Sequence, residues 1–276
     1  MFEKFARSWT LVKASAAVLR SDKELLLFPM LSGVAALLIS ATFIVPMFAL
    51  RLFEHGVGVA GAIWGFLFYF CLYSVTFFFN AALVSAAIIR LDGGDPTLAD
   101  GFNAARAKIG PILGYAAIAA TVGLVLQALK NKDNNFLVRM LGSGLGVAWT
   151  LSTFLVVPVL VQQNIGPIDA IKRSVELLKR TWGENAIGNV GLGAAFGLMM
   201  VLLIVFAAVL VIAASSVSAA LAITLGVIAV LAVVALGIIQ SALSGIYSAA
   251  LYRYATVGEA PAGFESTGLQ TAFAAR

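Results

Sequence analysis

The sequence predicts an all-α fold: a polytopic transmembrane helix bundle of six spans, with amphipathic helices on its cytoplasmic face and three repeated helix-plus-hairpin units. Three observations predict it. Of the 276 residues, 61% are hydrophobic and only 11% charged, with a mean hydropathy of +1.01; a soluble domain carries roughly 25% charged residues. Long stretches hold no Asp, Glu, Lys, Arg or His. Lys and Arg gather on alternate connections between those stretches. So little charge cannot coat a water-soluble ball of this size, which argues against a soluble enzyme, a disordered chain and a disulfide scaffold. Cys71 is the single cysteine and cannot form an internal bridge.

The charge-free runs are 25–50, 56–89, 109–129, 140–168 and 185–252. A helix crosses the hydrocarbon in about 20 apolar residues, so the first four hold one span each. The fifth is too long for one helix, and its polar dip at Ser215, Ser216 and Ser218 is the natural turn. The expected spans are 25–52, 60–90, 109–129, 143–164, 187–213 and 219–252. The last is long enough to tilt or to extend beyond the bilayer. Pro46 and Pro158 lie in or near spans and are expected to kink them. With the N-terminus inside, fourteen of the 18 Lys and Arg fall on inside segments, and only Arg51, Lys130, Lys132 and Arg139 on outside ones. That asymmetry places both termini in the cytoplasm. The first apolar run starts late and is span-length, so no cleavable signal peptide is expected. Residues 1–252 form a single membrane domain, and 253–276 a flexible cytoplasmic tail rich in Gly, Ala and Ser.

Residues 2–19 carry too much charge for a span. Phe2, Phe5, Trp9, Val12, Ala16 and Leu19 recur there at helical spacing. Ile168, Ile171, Val175, Leu178 and Trp182 repeat the pattern before span five. One offset superposes the two stripes and also places Arg7–Ser8 on Arg173–Ser174, Leu11 on Leu177 and Lys13 on Lys179. A weaker copy, at Leu98, Phe102, Ala105 and Ile109, precedes span three. Each stripe is followed by two spans, giving units 1–90, 91–164 and 165–252. A helix with one apolar and one basic face lies among lipid headgroups; the plainer alternative is that these helices dock onto the ends of the bundle.

The stretch 157–185 reads VPVLVQQNIGPIDAIKRSVELLKRTWGEN. With Pro158, Gly166-Pro167, Ala170, Arg173-Ser174 and Trp182-Gly183-Glu184 following an apolar span, it resembles the DUF6159 family of bacterial six-span membrane proteins. That family has no assigned function and is akin to the membrane domains of some glycerophosphodiester phosphodiesterases. The N-terminal FARSWTLVKAS fits the same group. The resemblance implies a bacterial (inner) cell membrane and a helical bundle, and it implies no activity. Members often carry an acidic residue near 162–163, where this chain has Gln162 and Gln163.

Ionisable residues buried in hydrocarbon are the usual functional sites of membrane proteins, and no span has one near its middle. The polar candidates are amides: Asn80, Gln127, Gln162, Gln163, Asn164, Asn189 and Gln240. The plain reading makes them bonds between helices. The sharper one makes Asn80, Asn189 and Gln240 a polar path. Small residues four apart, at Gly61/Gly65, Gly142/Gly146, Gly193/Gly197 and Ser241/Gly245/Ala249, allow close helix approach within one chain or between copies.

Catalysis finds little support. His55 is the single histidine, leaving no His-rich metal site and no Ser-His pair with a nucleophile motif. The segment 92–106 holds some residues of the metal-binding signature of CDP-alcohol phosphotransferases, but the spacing fails: Pro96 follows Asp95, and Arg106 is one position late. It reads instead as a turn leading to a helix capped at Thr97, with Asp100 in its first turn. Catalytic residues, cofactors and metals are therefore expected to be none, and a nucleic-acid partner is not expected.

The leading functional expectation is a non-enzymatic scaffold or accessory component that associates with membrane lipids, with itself as a homo-oligomer, or with other membrane proteins. Arg7, Trp9, Arg173, Lys179, Trp182 and Glu184 would supply the interface or partner contacts. The alternative is a transporter or channel for a small solute or lipid, with Asn80, Asn189 and Gln240 lining the route.

Overall fold

In the computed structural model, every described element is a helix. The structure describes residues 2–49, 58–131, 136–181, 186–258, 261 and 264, with side chains at 12–47, 58–129, 144–179, 196–258, 261 and 264. Helix α1 (Phe2–Ser21) passes through a 3-10 turn at Lys23–Leu26 into α2 (Leu27–Ala49), and α3 (Val59–Leu91) returns. The short α4 (Leu98–Ala107) precedes α5 (Ile109–Asn131). Helices α6 (Phe136–Ser152) and α7 (Val156–Gln162) follow, then α8 (Pro167–Thr181), and α9 (Ala186–Ser215) with α10 (Ala219–Val257) closes the chain.

Six stretches are long and apolar enough to cross a membrane: Lys23–Met47, Val59–Leu91, Ile109–Leu129, Gly144–Gln162, Phe196–Ser215 and Ala219–Val257. The last hairpin turns where the serines predict, with Ser218 as the N-cap of α10. At 39 residues α10 is about 58 Å long, nearly twice the roughly 30 Å of bilayer hydrocarbon.

One packing rule relates the segments 1–90, 91–164 and 165–252. The second span of each enters the core: α3, α7 and, through its 242–252 end, α10 touch one another. Each short helix then docks on the span that precedes it, α4 on α3 and α8 on α7. Helix α1 packs on α9 and α10, the last hairpin, so the order closes on itself. Glycine permits the docking of α4: a Cβ on Gly101 would fall 2.6 Å from the Phe28 ring and 2.8 Å from the Ala82 carbonyl oxygen.

The buried core lies at the end of the bundle that carries the short helices. It comprises Leu25 and Phe28 of the first span, Ala81–Ile88 of α3, Leu155–Leu160 around α7, and Leu243 with Ile246–Tyr252 of α10. Toward the other end, burial falls away and apolar side chains such as Val59, Ile212 and Val217 are exposed. Surface of this kind suits lipid, not water.

The structure adjusts several expectations. Span four is interrupted, not merely bent: residues 153–155 form a turn between α6 and α7. Helix α2 runs through Pro46 unbroken. On α8 the buried face is Ala170, Ser174, Leu177 and Leu178, whereas Ile168 of the expected stripe is exposed and Ile171 and Val175 are half-buried. That helix therefore has one face on the bundle and an adjoining apolar edge turned outward. Among the described residues of α1, Val12, Ser15, Val18 and Leu19 are buried, so that segment is docked. Helix α10 continues past residue 252 to Val257, and Phe264 is fully buried in the core; the expected tail does not start at 253. Most of 259–276 lies outside the described residues.

Candidate functional site

A cavity of about 440 Å³ opens just above the sealed core, between α2, α3, α5, span four and α10. That is the size range of small-molecule sites. Its polar lining comes from Ser32, Thr76, Asn80, Tyr115, Thr150, Thr153, Gln240, Ser241, Ser244 and Ser248. None of the lining residues is acidic or basic. At 1.5 Å per residue, Asn80 lies about 15 Å along its helix from Arg90, and Gln240 about 20 Å from Arg253. Those arginines mark the charged end of the bundle. The cavity therefore sits near the middle of a hydrocarbon layer roughly 30 Å thick.

The partners of the amides separate them into two groups. Gln127 accepts from the Tyr69 hydroxyl at 3.0 Å, and Gln163 donates to the Tyr252 hydroxyl at 3.1 Å. These are bonds between helices. Asn80 and Gln240 have no hydrogen-bond partner among the described residues, and neither do Ser32, Ser241 or Ser244. Elsewhere in the spans the hydroxyls of Ser74, Ser85, Thr121 and Thr224 fold back onto carbonyls of their own helix. Among the described residues, five unpaired groups thus meet on the cavity, while the buried Tyr247 hydroxyl is unpaired outside its lining. The side chain of Asn189, the third residue of the expected polar path, lies outside those described.

Span four supplies a broken wall. Pro158 has no N–H to give to residue 154, and a proline ring crowds the carbonyl four residues before it. The chain responds by turning one step earlier: the Phe154 amide goes to the Leu151 carbonyl and the Val156 amide to the Thr153 carbonyl. Two backbone groups lose their ordinary helical partners, and Ser174 of α8 satisfies both. Its hydroxyl donates to the Ser152 carbonyl at 2.7 Å and accepts from the Leu155 amide at 3.1 Å. Thr150, Thr153 and Phe154, around the break, line the cavity. Interrupted membrane helices are tolerated where protein or a cavity covers the freed backbone, and they recur at transporter binding sites.

The floor is closed by packing. A Cβ on Gly245 would fall well inside van der Waals contact with the Leu83 side chain, so α10 and α3 meet almost backbone to side chain there. Of the small-residue stripes, this one serves close packing within the chain; Gly146 and Gly197 face open space, and Gly142 and Gly193 lie outside the described side chains.

Below the floor, polar bonds tie the charged end together. Arg253 of α10 pairs with Asp92 at the end of α3. Lys108 donates to the Gln163 carbonyl and to Asn164 at 3.4 and 3.2 Å. Arg90 pairs with Asp95 at 3.1 Å. Thr97 and Asp100 form the expected capping box of α4, and the hydrogen bonds from Thr97 hold the Asp100 carboxyl below its ordinary pKa. Each acid of this segment therefore has a structural partner.

Of the candidate interface residues, Arg173 is committed to Glu176 at 3.0 Å, and Lys179 is exposed. The side chains of Arg7, Trp9, Trp182 and Glu184 lie outside those described. Sequence reasoning did not single out Ser32, Ser241, Ser244, Thr153 or Ser174 as site residues. Ser174 did fall in the repeated Arg-Ser pair, but nothing there told of a partner nineteen residues upstream.

The model of the family of unknown function DUF6159 matches residues 59–264. The chain belongs to the DUF6159 family. The match takes in α3 to α10, and with them most of the cavity wall; Ser32 and Pro29 of α2 lie before it. No curated protein matches the chain. The DUF6159 assignment establishes kinship and brings no activity with it.

Proposed function

We propose that this membrane protein binds an uncharged, hydrogen-bonding molecule in the mid-depth cavity and moves it through the bilayer, the transporter reading of the chain. The observation that carries it is the convergence of five unpaired side chains, Asn80, Gln240, Ser32, Ser241 and Ser244, on one cavity. An interhelical hydrogen bond in a membrane is worth about 0.6 kcal/mol on average. An amide left unmet in hydrocarbon costs several times that. Five such groups on one cavity suit a molecule, or water preceding it, that satisfies them. The absence of acidic and basic side chains from the lining favours a neutral guest, and the interrupted span at the wall supports the same reading.

The test uses proteoliposomes loaded in turn with glycerol, glucose and a fluorescent diacylglycerol. Wild-type protein should accelerate movement of at least one, and Asn80→Leu or Gln240→Leu should abolish that acceleration. The scaffold reading draws on Gly146 and Gly197, where an added Cβ would meet nothing within 4 Å among the described residues. It expects no movement of any probe, and a stable homo-oligomer or heteromer after mild detergent extraction that both substitutions leave intact. Residence in the cell membrane with both termini in the cytoplasm belongs to this proposal, on the strength of the Lys and Arg asymmetry. Labelling of a cysteine at the C-terminus from outside intact cells would count against it.

A further inference from the structure

We infer that the cavity is filled sideways, from within the bilayer, through a seam between α6 and α10, and that its guest is a lipid with an uncharged, hydroxyl-bearing head. The inference rests on the cavity reading above and names the route and the class of guest.

The seam follows from the packing order. In the first two units, the first span lies against the second span of the unit before it: α5 on α3 and, around the ring, α2 on α10. The same rule would place α9 against span four. Among the described residues α9 packs instead on α10 and α1, and α6 packs on α5 and α8, with no comparable packing between α6 and α10. One place in the ring is left without its helix, and the cavity lies behind it.

Exposure agrees. Thr150 on α6 and Ser241 and Ser244 on α10 all line the cavity, yet all three are exposed. Their depth is that of the hydrocarbon, so the opening faces lipid. On the same helix faces, one turn farther along, the exposed side chains are apolar: Val147, three residues before Thr150, and Val234, three before Gly237. An opening with an apolar rim and a neutral polar interior fits an amphiphile whose head enters while its chains remain outside. A polyol from water would have to cross that rim. A charged headgroup would find no counter-charge within.

Two glycines of α10 define the passage. Gly245 is pressed against Leu83 at the floor, whereas a Cβ on Gly237 would meet nothing within 4 Å, although Gly237 lines the cavity. A large side chain at Gly237 therefore plugs the mouth without disturbing the core. Gly226, farther along the same helix and equally open, gives the control.

The experiment places the full-length protein in phosphatidylcholine nanodiscs doped with a diacylglycerol bearing a photoreactive acyl chain. Crosslinks are then mapped by mass spectrometry. The expected result is labelling on 145–150 and 234–241, competed by plain diacylglycerol and not by soluble glycerol, reduced at least tenfold by Gly237→Phe and unchanged by Gly226→Phe. Equal labelling of the two glycine variants, or competition by soluble glycerol, overturns the lateral route. If glycerol or glucose moves through the protein in an Asn80-dependent way while diacylglycerol never labels the seam, the cavity reading stands and this inference falls. If no probe binds or moves, both fall.

Discussion

The Ser174 hydroxyl on α8 donates to the Ser152 carbonyl oxygen at 2.7 Å, and so splints a membrane span to which it does not belong. The same oxygen accepts from the Leu155 amide, and the serine is fully buried. Ser174→Ala would leave a backbone donor and a backbone acceptor unmet, at about 1–3 kcal/mol each. The variant is expected to lose on the order of 2–6 kcal/mol of stability and to lower the thermal midpoint in detergent. Ser174→Cys, with a weaker donor and acceptor, should fall between. Ser216→Ala removes an exposed hydroxyl that bonds only within its own hairpin, and it should be close to neutral. A neutral Ser174→Ala would show that the break in span four does not depend on α8.

Gly245 and Leu83 make the second testable pair. Overpacking a tight core costs about 1–3 kcal/mol, so Gly245→Val should destabilise the protein by that amount. Leu83→Ala alone removes buried side-chain volume and also destabilises, by about 2–5 kcal/mol. Combined, the two should be less damaging than their sum, because the added methyl groups occupy the space that the leucine vacates. Gly237→Ala on the same helix should change little, since its Cβ meets open space. Thermal unfolding of the four variants checks this, and strict additivity would refute the contact.

The spans were legible in the sequence because hydropathy is a property of one stretch read along one line. The turn between α9 and α10 could be placed at Ser215–Ser218 for that reason, and the cap of α4 from Thr97 and Asp100 by their spacing alone. Site properties were less accessible because they depend on what faces a residue from another helix. Gln127 and Asn80 are both amides in spans, yet Tyr69 faces one and a cavity the other. Pro158 signalled strain in span four, but whether the span bends or breaks depends on a serine from α8 that can satisfy the freed groups. The repeated stripes indicated three units. They did not reveal that α1 packs onto the last hairpin, which is a matter of ring closure and leaves no periodicity.

Acid should act on α4 through Asp100. The hydrogen bonds from the Thr97 hydroxyl, and then from its amide, favour the charged carboxylate and lower its pKa. A carboxylate with a depressed folded pKa stabilises the fold above its unfolded value of about 3.9, and that contribution is lost as pH falls through the folded value. Asp100→Asn should therefore melt below wild type at neutral pH, and the two curves should converge on acidification below about pH 4. A gap in melting temperature that persists unchanged at the lowest pH would mean that the charge on Asp100 is not what holds the cap.

The ion pair between Arg253 and Asp92 joins the ends of α10 and α3 beneath the cavity floor. Both side chains are partly exposed, at 30% and 42%, so solvent screens the attraction and the pair is worth about 1 kcal/mol or less. It ties the end of α10 to the end of α3, and both helices line the cavity above it. Arg253→Asp places two acids together and should lower the thermal midpoint; Asp92→Arg should do the same with two bases. The exchanged double variant restores an attraction in the same place and should recover most of the loss. Salt should shrink the differences among the four proteins, since exposed charges are screened over roughly 10 Å at 0.1 M ionic strength. If the exchanged variant is no better than the worse single one, the two residues contribute through separate contacts, and α3 and α10 are held together at this end by packing such as that of Gly245 on Leu83.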